Sequence, residues 1–162
     1  MRYKTGDLFQ DIDNLIKGQT VLLIPHVCNN VHKWGAGFVV PLGKRFPESV
    51  AAFFQKKDDK LGVVQFVKDE NLPIIICNMY AQKGLVEQNL GGGKKSIPLQ
   101  YLDLQACMFQ VKQYAEEIAQ NGKSVQIACP KFGSGLAMGD WSIIENMIMR
   151  IWNNISVTVY SL

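Results

Sequence analysis

Two stretches of this sequence combine glycine with polar side chains in a way that suits a negatively charged ligand. The first runs Pro25-His26-Val27-Cys28-Asn29-Asn30, continues through Val31-His32-Lys33-Trp34 and passes into Gly35-Ala36-Gly37-Phe38. The second is Pro130-Lys131-Phe132-Gly133-Ser134-Gly135-Leu136-Ala137-Met138-Gly139, directly ahead of Asp140. An apolar run that ends in polar residues and turns through glycines towards a helix offers unpaired backbone N–H groups and the positive end of a helix dipole. Glycine at 133, 135 and 139 lets the backbone approach a phosphate closely. Each stretch taken singly is a weak signal, because ordinary turns also need glycine. The pair predicts two phosphates, or one diphosphate gripped from both sides.

Other side chains divide between chemistry and packing. His26, at the end of an apolar run, suits proton transfer near neutral pH, and equally suits a ring satisfied by backbone in a half-buried strand. Asp140 reads first as the cap of the helix that follows it, and second as an acid. Trp34 either covers a ligand or plugs its loop, whereas Trp141 and Trp152 belong to helix packing and His32 to the surface. Cys28, Cys77, Cys107 and Cys129 are far apart, with no C-x-x-C pair and no histidine placed to complete a finger. They predict reduced, mostly buried thiols, with no metal and no cofactor.

These residues need a scaffold. Strands are predicted over 2–5, 20–28, 63–68, 74–80, 124–129 and 155–160, the middle ones nearly continuous in apolar residues, as buried strands are. Leu104, Cys107, Met108, Val111, Ala115 and Ile118 recur at helical spacing before the stop at Asn121-Gly122, and Ile143, Ile144, Met147, Ile148, Ile151 and Trp152 mark a second helix. Helical pieces over 38–45 and 48–55 are punctuated by Pro41, which predicts a shortened or kinked piece, and by Pro47, which fits a helix start. The alternation predicts an α/β fold in three layers, α/β/α, around a central mixed sheet of about six strands. Ligands of open α/β sheets bind at the carboxyl ends of strands, where Asn29 and Asn30 fall.

The 162 residues, 48% hydrophobic and 19% charged, suit one domain spanning 1–162. The stretch 83–95, with Gly91-Gly92-Gly93 before Lys94-Lys95, reads as one flexible surface loop. No apolar run approaches the ~20 residues that span a bilayer, and the N-terminus carries Lys4 and Asp7, so a cytoplasmic protein without membrane contact is expected, with a monomer as the working assumption. The net charge of +3 suits an anionic ligand but lacks the basic, aromatic stripe of a nucleic-acid binder.

Taken in order, Gly6-Asp7-Leu8-Phe9, His26 to Phe38, Asn78 to Gln82 and Pro130 to Leu136 resemble the macrodomain family along essentially the whole chain. The ending Val157 to Leu162 looks like the closing strand of its small stand-alone branch, which processes ADP-ribose 1″-phosphate or removes ADP-ribose from proteins. The resemblance implies that Asp7 hydrogen-bonds the adenine amino group, with the Leu8 backbone supporting the ring. It implies that Asn29 holds the distal ribose, that Gly35, Ala36 and Gly37 lie along ribose and diphosphate, and that Gly133, Ser134, Gly135 and Leu136 form the second phosphate loop. Asn30, Trp34, Phe38, Gln82 and Ala137 complete the candidate ligand surface, and His26 with Asn29 the candidate catalytic pair.

The departures bear on the reaction. Relatives that cleave ADP-ribose from glutamate or DNA carry a lysine ending the fourth strand and can carry an aspartate after the second loop, where this chain has Gln82 and Ala137. Glutamine cannot form a Schiff base and alanine has no proton to exchange. Lys83 is one residue away and faces the other side of a strand. The first reading is hydrolysis of an ADP-ribose derivative at its distal ribose, with ADP-ribose 1″-phosphate the leading substrate. The alternatives are a non-catalytic reader or sequestering protein for ADP-ribose, and a protein ADP-ribosyl hydrolase.

Overall fold

The computed structural model describes residues 1–85, 89–90, 94–95 and 97–162. In chain order its elements are β1 (Arg2–Thr5), α1 (Leu8–Leu15), β2 (Val21–Asn29), α2 (Val39–Arg45), α3 (Pro47–Gln55), β3 (Val63–Lys68), β4 (Ile74–Gln82), β5 (Asn89–Leu90), β6 (Lys94–Lys95), α4 (Tyr101–Gln120), β7 (Val125–Pro130), α5 (Trp141–Ile151) and β8 (Ser156–Ser161). Six strands form one mixed sheet in the order β1-β8-β7-β2-β4-β3, parallel throughout except for the antiparallel β3–β4 pair.

The two-residue period of the central strands sorts the core onto two faces. Val21, Leu23, Ile75 and Cys77 pack with α4 and α5, while Leu22, Ile24, Ile74 and Ile76 pack with α1 and α2. Both faces of β2 and β4 are therefore covered, which is why these strands read as unbroken apolar runs. No helix among the described residues is long and apolar enough to cross a membrane.

Three features depart from the sequence expectations. Helix α1 is absent from the predicted helices, although Leu8, Ile12 and Leu15 stand at helical spacing and are buried. Strands β2 and β4 run on past Cys28 and Tyr80, through a register shift between Cys28 and Asn29 that sets Asn29 opposite Gln82. The stretch read as a single loop contains the short antiparallel ladder β5–β6, while Gly91-Gly92-Gly93 lies outside the described residues. Pro47 opens α3 as expected, and Pro41 falls in the first turn of the seven-residue α2, where its missing N–H has no intrahelical acceptor to lose.

Strands β2 and β7 are neighbours over three residue pairs only, Val21 to Leu23 against Val125 to Ile127. The backbone explains why. Val21 N donates towards β7, to Ser124 O, and Leu22 N donates the other way, to Pro73 O beside β4. Alternation turns residue 25 towards β7, and Pro25 has no N–H to give. The ladder stops, and the carboxyl-terminal halves of two adjacent parallel strands are left unpaired with each other.

Candidate active site

A cleft of about 500 Å3 opens where β2 and β7 part company. The chain leaving β2 turns to α2 and α3 on one face of the sheet and the chain leaving β7 turns to α5 on the other, the arrangement in which open α/β sheets bind ligands. Gly35, Ala36, Gly37 and Phe38 form one wall; Gly133, Gly135, Leu136 and Ala137 form the opposite one. The loops touch: a Cβ on Gly37 would stand 3.9 Å from Leu136 Cδ1. The two glycine stretches thus converge on one space.

Asn29 builds the first loop. Its Oδ1 accepts from Val31 N and Lys33 N, both at 3.1 Å, and its Nδ2 donates to Lys33 O at 2.7 Å. Trp34 then folds back onto the loop, donating from Nε1 to Val39 O at 3.0 Å and packing its ring against His26 and Phe53. The second loop is closed mainly by backbone. Gly139 N donates to Gly133 O at 2.8 Å, Met138 N to Gly135 O at 2.9 Å and Leu99 N to Ala137 O at 3.1 Å.

His26 is 2% exposed and borders the cleft from β2, with Nε2 2.6 Å from Asn78 Oδ1. Burial depresses its pKa to about 4, a fall only partly offset by the Asn78 hydrogen bond, so the ring is neutral at physiological pH. The Cys28 thiol beside it is pushed well up by burial and stays protonated. Lys33 and Lys131 border the cleft, and none of its described lining residues is a carboxylate. The enclosure therefore favours an anion. Among the described residues no cluster of three His, Cys, Asp or Glu side chains could hold a metal ion.

Of the residues expected at the site, His26, Asn29, Trp34 and Gln82 border the cleft along with the two walls. Four do not line it. Asp7 caps α1, accepting from Phe9 N at 2.9 Å, and Leu8 is buried in the core under that helix. Asn30 turns away, accepting from Gly84 N and donating to Asp59 O. Ser134 donates its hydroxyl to Lys131 O at 2.7 Å. Asp140 caps α5 through Ser142 N and is absent from the lining, which fits the cap reading. Lys33 and Lys131 went unselected although both sit inside the two glycine stretches, where a cation was the available signal. Phe53 gave none, since it arrives from α3 through the fold.

No protein-family model matches the chain. An ADP-ribose 1″-phosphate phosphatase of Candida albicans is 27% identical over 165 residues, which cover 99% of this chain and 98% of that protein. A macrodomain protein from Streptomyces coelicolor is 29% identical with a TM-score of 0.70, the match covering 99% of this chain and 98% of that one. A protein of unknown function from Bacteroides thetaiotaomicron is 32% identical with a TM-score of 0.78, covering 99% and 97% respectively.

Proposed function

We propose that this chain is a macrodomain whose cleft binds an ADP-ribose derivative and hydrolyses it at the distal ribose, with ADP-ribose 1″-phosphate as substrate. One observation carries the reading: two glycine loops from different strands face each other across a single cleft that holds two lysines and no carboxylate among its described lining residues. Backbone amides at both walls suit a pyrophosphate, and Lys33 adds charge for a further phosphate, while the Lys131 ammonium lies over the Tyr3 ring, 5.8 Å from its centroid. Asp7 and Leu8 lie outside the cleft lining but are tied to it through Phe9, whose ring stacks on Phe38 at 5.3 Å. They are assigned the adenine.

In the reaction, water oxygen bonds to phosphorus as the bond from phosphorus to the 1″ oxygen breaks. That oxygen takes up a proton, leaving ADP-ribose and inorganic phosphate. Asn29, Gly35, Ala36 and Gly37 hold the distal ribose and the diphosphate, while Gly133, Ser134, Gly135 and Leu136 offer backbone to the other side. Gln82, which donates to Gly84 O at 3.0 Å, supplies no amine for a covalent adduct. The protein is taken to act as a cytoplasmic monomer without metal or cofactor.

A second reading, binding without turnover, is favoured by the neutral His26 and the lack of a carboxylic acid among the described cleft residues. Purified protein incubated with ADP-ribose 1″-phosphate should release inorganic phosphate and should melt at a higher temperature with ADP-ribose. A melting shift without phosphate release selects the binding module. No shift with either nucleotide removes both readings.

A further inference from the structure

A chain of side-chain amides reaches His26 from the edge strand β3 along one face of the sheet. Gln65 on β3 donates from Nε2 to Ala52 O at 2.9 Å, while its Oε1 accepts from Tyr80 Oη at 2.7 Å and from Asn78 Nδ2 at 3.1 Å. Asn78 Nδ2 also donates to Ser49 O at 3.1 Å, and Asn78 Oδ1 lies 2.6 Å from His26 Nε2.

The polarity of this chain is set by two groups that cannot be reversed. Ser49 O and Ala52 O are backbone carbonyls of α3, and a carbonyl only accepts. Turning the Asn78 amide over would set its oxygen against Ser49 O; turning Gln65 over would set its oxygen against Ala52 O. Either costs an acceptor–acceptor contact and an unpaired N–H, at a buried position for Asn78 and a part-buried one for Gln65. Asn78 therefore presents oxygen to the imidazole, and the nitrogen facing that oxygen must carry the hydrogen.

From this chain we infer that Asn78 is a positioning residue that holds His26 as the Nε2–H tautomer, leaving Nδ1 as its only lone-pair nitrogen. The nearest titratable neighbours are Cys28, whose Sγ lies 3.8 Å from Nε2 and 3.9 Å from Nδ1, and Tyr80, joined through Gln65; the facing rings of Trp34 and Phe38 carry no charge. Resting on the hydrolytic reading, the consequence is a single role. His26 accepts at Nδ1, from the attacking water or a ribose hydroxyl, and does not donate Nε2–H to the leaving oxygen, because that hydrogen is committed to Asn78.

The test is a nitrogen NMR spectrum of ligand-free protein labelled with 15N-histidine, in which only His26 and His32 report. At neutral pH His26 should show a protonated, pyrrole-type Nε2 and an unprotonated, pyridine-type Nδ1. A proton on Nδ1, or on both nitrogens, overturns the inference. Asn78→Asp keeps an acceptor but adds a negative charge beside the ring, which should yield a doubly protonated imidazolium at neutral pH. A ring still neutral in that variant would show that position 78 does not govern it. In the hydrolytic assay Asn78→Asp should lower kcat about a hundredfold with KM nearly unchanged, the size typical of losing one acid–base group. The spectra need no ligand, so a wild-type Nε2–H signal without phosphate release would sink the hydrolytic reading and leave the tautomer standing.

Discussion

The two loops that face each other across the cleft are held in different ways. The loop after β2 depends on one side chain, Asn29, which makes three hydrogen bonds to the backbone of residues 31 and 33. The loop after β7 depends on the absence of side chains: a Cβ on Gly139 would stand 2.6 Å from Gly133 O and 2.3 Å from Leu99 Cδ2. Each loop also carries a non-glycine residue in left-handed backbone, His32 at φ 58° and Met138 at φ 60°. Such conformations persist only where neighbouring contacts outweigh their strain. One loop is thus fixed by polar chemistry that a single truncation removes, the other by close packing that a single methyl group disrupts.

The contrast ranks the expected effects of substitution. Gly139→Ala should be the most damaging, at about 3 kcal/mol of unfolding free energy in urea titration, because a backbone oxygen cannot move aside as a side chain can. A loss below about 1 kcal/mol would mean that the second loop is looser than its contacts indicate. Asn29→Ala should cost about 2 kcal/mol in the same titration through the lost hydrogen bonds, with a steeper fall in ADP-ribose affinity as the first wall comes apart. Unchanged calorimetric affinity would remove Asn29 from the site. Lys33→Ala should leave stability unaltered, since the backbone of residue 33 makes the structural bonds. Its expected effect is on binding alone: about tenfold weaker affinity for ADP-ribose 1″-phosphate, with a shallower salt dependence. Equal weakening at low and high salt would argue that its charge does not face the phosphates.

Much of the fold was legible because burial leaves a periodic trace. The strands Arg2–Thr5 and Val63–Lys68 match their sequence expectations residue for residue, and the other four sheet strands differ by one or two residues at their ends. Those ends are where polar residues continue a strand beyond its apolar run, as Asn29 and Gln82 do, so pattern alone stops short of them. Helix α1 was missed because Asp7, which caps it, reads from sequence equally as a turn residue after the first strand. At the site, the loops announced themselves through glycine, whereas the sequence shows the side chains of Asn30 and Ser134 as polar groups without showing which partners they have already found.

The sequence alone determined which residues avoid water, where the chain must turn, and that glycine and cationic side chains recur together after two of the strands. Only the tertiary structure decided what these share. Pro25 is visible in the sequence as a residue without an N–H, but nothing local says which neighbouring strand that missing donor would have met. The fold places β7 there, the ladder ends, and the gap becomes the cleft. Propensity and burial act along the chain over a few residues, whereas a hydrogen bond that is not made between two strands about a hundred residues apart exists only once both are in register.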